Sequence, residues 1–217
     1  MPEINLLCDL PKAKRNIQAR NAAQELQREV ALQFGREYFD GDRTQGYGGY
    51  RYDGRWIPVA KRFVEQWGLK PGDRVLDIGC AKGFLVKDLM TVCPGLDVRG
   101  IDISRYAIEN SEPEIRDRLV VGDARELPFK TGEFKAAICI NTVHNFAEAE
   151  CKQAIKEILR VSTHHSYIQV DSYHTPEERE IFVSWQLTCK SHMYPREWEK
   201  LFASVGYDRD YYWTVIT

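Results

Sequence analysis

Short apolar segments alternating with amphipathic ones predict a doubly wound α/β domain with a mostly parallel sheet. Three observations carry this. RVLDIG, DVRGIDI, RLVVGDA, FKAAICINTV and SYIQVDSY read as strands separated by helical stretches, the alternation that builds βαβ units. The strands are near-continuous apolar runs, as expected when helices cover both faces of a sheet. The first strand runs into a helix through a glycine-containing turn, Gly79 to Gly83.

The elements follow in order. From Lys12 to Phe34 the chain is charged, with Ile17, Ala23, Leu26, Val30 and Phe34 on one helical face. GREYFDGDRTQGYGGYRYDGRW, Gly35 to Trp56, is dense in glycine, tyrosine and charge and reads as a structured loop. A helix from Pro58 to Trp67 is closed by Gly68 and the turn Lys70-Pro71-Gly72-Asp73. FLVKDLMTVC, SRYAIENS and ECKQAIKEILRVS are the helices between the first strands, and PREWEKLFASVGYDRDYYWTVIT supplies a helix, a turn at Gly206 and a last β-rich run. The division is therefore an N-terminal helix and Tyr/Gly-rich loop extension, residues 1–57, followed by the α/β domain, residues 58–217.

The 217 residues carry 30 basic and 32 acidic side chains, a net charge of −2. That balance disfavours nucleic acid as a partner, since phosphate binding needs a basic face. No run reaches the roughly 18 apolar residues of a membrane span, and MPEINLLCDLPKAKR has no signal-peptide core. The six cysteines show no paired or metal-finger spacing, so reduced thiols in a cytoplasm are expected.

In open α/β sheets ligands bind beyond the carboxyl ends of the strands. The turn Asp77-Ile78-Gly79-Cys80-Ala81-Lys82-Gly83 misses two of three dinucleotide-fingerprint glycines, having Ala81 and Phe84, and no G-K-[ST] follows. Asp77 would repel a pyrophosphate and suits a ligand bearing an ammonium or sulfonium charge.

VLDIGCAKGFL, then GIDIS with Asp102, then VVGDARELPF, together resemble the class I S-adenosylmethionine-dependent methyltransferase family from about Val75 to the C-terminus. Ala81 departs from the family's usual second glycine. The resemblance implies a seven-stranded sheet and S-adenosylmethionine as cofactor. It also implies that Gly79, Cys80 and Gly83 let backbone approach the methionine portion, with Asp77 holding its amino group. Asp102 would accept from the ribose hydroxyls, Ile103 would pack on the adenine, and Asp123 with the Ala124 backbone would meet its exocyclic amine. Asn141, after the fourth strand, is placed with these cofactor residues; the same residue type also caps helices.

For methyl transfer the protein supplies alignment, desolvation and, for a hydroxyl acceptor, a base. His144, past the fourth strand, is the leading candidate, with a structural hydrogen-bonding role as its alternative. Asp171 and His174, past the fifth strand, are the others, and Tyr173 beside them is placed against the substrate. His164 and His165 fall in a turn before that strand, and no metal set is expected. In the loop, Tyr38, Tyr47, Tyr50, Arg51 and Arg55 combine rings that attract cations with guanidinium forks that bind anions.

These readings give a cytoplasmic methyltransferase, monomeric or homodimeric, acting on a small polar and anionic metabolite. By family-level analogy this is a sugar, nucleotide-sugar or surface-polysaccharide precursor, with O-methylation favoured. N-methylation, an RNA substrate and a non-catalytic cofactor-binding partner are the alternatives. The loop is expected to be a lid.

Overall fold

A computed structural model describes residues 2–11, 17–18 and 24–216. In chain order the elements are α1 (Gln24–Ala31), α2 (Arg36–Asp40), α3 (Ile57–Trp67), β1 (Arg74–Ile78), α4 (Phe84–Val92), β2 (Asp97–Asp102) and α5 (Arg105–Glu109). Then follow β3 (Leu119–Val121), β4 (Phe134–Ile140), α6 (Glu148–Val161), β5 (Ser162–Ser172), α7 (Pro176–Trp185), α8 (Pro195–Ser204) and β6 (Asp210–Val215).

The strands form one sheet in the order β3-β2-β1-β4-β5-β6. Every neighbouring pair is parallel. Among the described residues the sheet has six strands rather than the expected seven. The stretch after β5 is spent on α7 and an irregular segment, residues 186–194, and a single strand follows Gly206. The chain runs outward from β1 to β3 and returns to β4 beside β1, so the topological switch point, where ligands enter such sheets, lies between β1 and β4.

Strand alternation sorts side chains onto two cores. Leu76, Ile78, Ile168 and Val170 pack with Ile155 and Ile158 of α6 and Trp198 and Phe202 of α8. Val75, Val98 and Ile138 pack on the other side with Phe63 of α3 and Leu85 and Leu89 of α4. Each such fully buried aliphatic or aromatic side chain contributes about 1.5–3 kcal/mol. Asp77 shares the α3/α4 side with Val75 and ends β1 as a carboxylate at the switch point.

Local signals fix the boundaries. Pro58 sits in the first turn of α3, where its missing N–H costs nothing, and Gly68 at φ +54° ends it. Ser104 caps α5, its Oγ accepting from Ala107 N at 3.0 Å, and Thr175 caps α7 in the same way.

Three expectations change. α1 ends at Ala31, and Leu26 is 64% exposed, so the apolar stripe does not extend to Phe34. Ile17 packs beside Tyr173 and Phe182, whereas residues 12–16 and Ala23 lie outside the described residues. The Gly35–Trp56 stretch contains the short helix α2, which buries Phe39 against Ala81 and Ala107. His164 and His165 belong to β5, not to a turn before it, and the His165 ring stacks on Trp67 at 5.5 Å.

Candidate active site

Two adjoining cavities open at the carboxyl ends of the strands, about 950 and 330 Å³ in volume. Tyr38, Tyr47, Gly79, Ala81, Ile140 and Asn141 wall both. The smaller lies toward β2 and β3, between Asp102, Ile103, Asp123 and Ala124. The larger runs toward β5 and β6, past Asp77, His144, Asp171 and His174.

The glycine turn builds the junction. Gly79 and Cys80 donate their N–H groups to the Ile101 carbonyl at 2.8 and 3.1 Å, folding the turn over the end of β2. Gly79 has φ +79°, and a Cβ there would come within 1.9 Å of Thr142 Oγ1, so no other residue fits. Ala81 takes the left-handed conformation at φ +51°. Its N–H donates to Asp102 Oδ2 at 2.8 Å, and Ser104 N–H donates to Oδ1 at 2.8 Å. Asp102 is buried, which raises its carboxyl, and these two N–H groups act the other way. Each oxygen retains a lone pair for a further donor.

Asp77 is the unusual group. It is 5% exposed. Burial, and then the charge of Asp102, push its carboxyl up to about 8, and no hydrogen bond among the described residues offsets them. A carboxylate held in this state calls for a cation.

Asp123 is held by Arg125 as a bidentate pair, which keeps its carboxyl below the ordinary range. Asp123 itself lines the smaller cavity. Gly83 lines neither cavity: at φ +76° it starts α4, and a Cβ would strike Ile115 and Leu119. The expected cofactor contact there is replaced by a packing role.

His144 is buried between elements. Its Nδ1 accepts from Asp171 N–H at 3.3 Å, its carbonyl accepts from Lys190 and Ser191 N–H at 2.9 Å, and a further hydrogen bond ties it to the Asn141 backbone. Burial pushes the imidazole down to about 4. With Nδ1 accepting, a neutral ring carries its proton on Nε2, so both nitrogens are committed.

Two proposed substrate contacts move away. Tyr173 is 2% exposed, its hydroxyl meets His192 Nδ1 at 3.0 Å, and its ring packs on Phe182 and Tyr194, because β5 ends at Ser172 and the chain turns there toward α7. Arg51 is exposed and lines neither cavity. Arg55 lines the larger cavity, with its guanidinium held by Asp53 at 2.6 Å. His174 is exposed at the cavity rim, and its N–H donates to Glu178 Oε2.

The cap over the junction is pinned at several points. Lys82 Nζ lies 2.8 and 2.6 Å from the Asp40 oxygens, Tyr106 donates to Asp40 at 2.8 Å, and Tyr52 donates to Asp88 at 2.6 Å. Tyr50 stacks on Phe84 at 4.6 Å.

Sequence reasoning missed the second cover. Residues 186–194 cross the site, with Thr188 Oγ1 donating to Asn145 and Ser191 Oγ to the Phe146 carbonyl. Gln169 and Thr214, lining the larger cavity from β5 and β6, were also missed. Polar residues on alternate positions of an otherwise apolar strand were the available signal.

Among the described residues no cluster of His, Cys, Asp and Glu is placed to hold a metal. No helix among them is long and apolar enough to cross a membrane.

Residues 75–165 match a family model described as a methyltransferase domain. The chain is 32% identical over 110 residues to protein MJ1252 of Methanocaldococcus jannaschii, covering 51% of this chain and 41% of that one. It is 30% identical over 116 residues to the demethylmenaquinone methyltransferase of Symbiobacterium thermophilum, covering 50% and 45%. The chain thus spans less than half the length of these two relatives. Its fold is similar to that of Haemonchus contortus phosphoethanolamine N-methyltransferase 2, solved with S-adenosyl-L-methionine, with a TM-score of 0.54, 17% identity and coverage of 90% and 45%. The domain match begins inside β1 and ends inside β5, spanning the turn and strand ends that build the two cavities, so this stretch of the chain is a methyltransferase domain.

Proposed function

We propose that the chain transfers the methyl group of S-adenosylmethionine to a small polar acceptor held in the larger cavity, with a hydroxyl oxygen as the methylated atom. The observation that carries this is Asp77, a buried carboxyl with no hydrogen-bonding partner among the described residues, in the wall of the larger cavity beside the turn that the two cavities share. The residues fit the cofactor. Asp77 would hold the amino group, with Gly79 and Cys80 beside it. Asp102 would accept from the ribose, and Ile103, Asp123 and Ala124 would bound the adenine. When bound, the cofactor supplies a methyl group activated by its sulfonium.

The chain's own residues then align and desolvate. The cap and residues 186–194 exclude water. His144, with both ring nitrogens engaged, acts as a positioning residue that fixes Asn141 and Asp171. The hydroxyl proton goes to His174 or Asp171, which line the acceptor cavity at the carboxyl end of β5. A neutral polar acceptor is favoured over an anionic one, because Arg51 faces solvent and the charge of Arg55 is met by Asp53. Trp56, Trp185 and Trp213 in the wall favour a ring-bearing acceptor, in keeping with the quinone-pathway name of one relative.

The test is calorimetry with S-adenosylhomocysteine, followed by labelled methyl transfer to a panel of small phenols and polyols. Micromolar-range binding that weakens about 10- to 100-fold in Asp77→Asn is expected, from loss of a charge-assisted hydrogen bond. Heat with NAD and none with S-adenosylhomocysteine overturns the reading.

A further inference from the structure

In a doubly wound sheet both faces of a central strand are normally apolar. β5 departs from this. Ile168 and Val170 enter the core shared with α6 and α8, while the alternate positions Tyr167, Gln169 and Asp171 turn polar groups to the other face. On β6, Tyr211 and Trp213 join the same core, and Thr214, in register with Asp171, lines the larger cavity. Residues of the N-terminal segment, Asn5 and Leu7 among them, wall the same cavity. The carboxyl ends of β5 and β6 therefore give the cavity a polar floor.

Within that floor Gln169 is 1% exposed. Its Nε2 donates to Thr214 Oγ1, and its Oε1 has no hydrogen-bond partner among the described residues. A buried amide oxygen left without a donor is costly, and an aliphatic side chain at this position would avoid the cost. The Thr214 hydroxyl accepts from Gln169 and so keeps its own proton to give.

We infer that Gln169 and Thr214 form a recognition subsite for a neutral hydroxyl or N–H group on the methyl acceptor. Gln169 Oε1 accepts from that group and the Thr214 hydroxyl donates to it. A carboxylate or phosphate would set lone pairs against Oε1 and is excluded at this point of the floor. The inference rests on the reading that the larger cavity receives the acceptor, and it specifies that acceptor's chemistry.

The experiment uses the full chain saturated with S-adenosylhomocysteine, with phenol as the donor-bearing probe and toluene as its donor-free match, followed by ligand-observed NMR. In Gln169→Met the phenol dissociation constant rises about tenfold, the loss of one hydrogen bond, and toluene binding is unchanged. Thr214→Val weakens phenol by a similar factor. The thermal midpoint of ligand-free Gln169→Met stays level or rises, because an unsatisfied amide has been replaced by a thioether of like shape. Equal weakening of both probes, unchanged phenol binding, no phenol binding to the natural chain, or a clear fall in that midpoint overturns the subsite. Failure of the natural chain to bind S-adenosylhomocysteine is a separate outcome that sinks the methyltransferase reading, and the phenol arm, run on the free protein, still decides the subsite.

Discussion

Asp77 and His144 are both buried ionisable groups at strand ends, and their shifts have opposite signs. Asp77, at about 8, lies above the ordinary carboxyl value near 4. Between those values the ligand-free protein keeps a proton that the unfolded chain has lost, so stability falls as pH rises through that window. A cationic ligand favours the ionised form, so binding S-adenosylhomocysteine near pH 7 releases about one proton. Calorimetry in two buffers of different ionisation enthalpy measures this directly, and heats independent of buffer contradict it. His144, at about 4, lies below its unfolded value near 6.5. There the unfolded chain binds the extra proton, and stability is lost as pH falls from about 6.5 toward 4. Because its nitrogens bridge Asn141 and Asp171, His144→Gln should lower turnover by about tenfold or less, with the acid limb of the pH–rate profile in place. Loss of about 10²–10⁴ together with that limb would restore the general-base role.

At the scale of elements, the Asp40–Lys82 pair joins α2 to the glycine turn after β1. The Lys82 side chain is 7% exposed and that of Asp40 25%. Burial opposes ionisation of Asp40, but the hydrogen bonds from Lys82 and Tyr106 outweigh it and hold the carboxyl below its usual range. Its contribution is therefore present above about pH 4 and fades as pH falls below that. Asp40→Asn leaves a buried ammonium poorly paired, a loss of about 1–3 kcal/mol after allowance for partial exposure. Denaturant unfolding should show Asp40→Asn/Lys82→Met losing less than the two single variants summed, by about 1 kcal/mol or more. Strict additivity would mean the two groups do not couple. S-adenosylhomocysteine binding should weaken in each single variant, because Lys82 adjoins Ala81 in the turn and the Ala81 N–H holds Asp102.

Across the whole molecule, what could be read from the sequence was what is local. The strands are apolar runs and the glycine turn is a contiguous motif, so β1, β2 and β4 and the strand-end carboxylates Asp77 and Asp102 were readable directly. Tyr173 and Arg51 were misplaced because the direction of a side chain depends on where a strand ends and how a loop folds back, which local pattern does not fix. Residues 186–194 hold the site through contacts to His144, Asn145 and Phe146 more than 40 positions away, and no periodicity encodes those. The 35–56 stretch combines both cases. Its lid-like composition was evident, but its anchors were not: Phe39 is 2% exposed, Tyr50 N–H donates to the Phe39 carbonyl at 2.9 Å, and Tyr52 is fixed to Asp88. Between these anchors Gly48 and Gly49, at φ +71° and +94°, carry an exposed tip. Tyr47, at the base of that tip, walls both cavities. Local opening costs least where few buried contacts hold the backbone, so the cap should behave in two parts. In hydrogen exchange the amides of Tyr47, Gly49 and Tyr50, which donate to the Tyr38 and Phe39 carbonyls, are protected in the free protein, and that of Gly48 exchanges fast. Trypsin cleaves after Arg51 in the free protein, and S-adenosylhomocysteine, packing against Tyr47, slows that cleavage severalfold. Uniform protection from Gly35 to Trp56 without ligand would make the whole segment a rigid cap, and cleavage unaffected by ligand would separate the tip from the site.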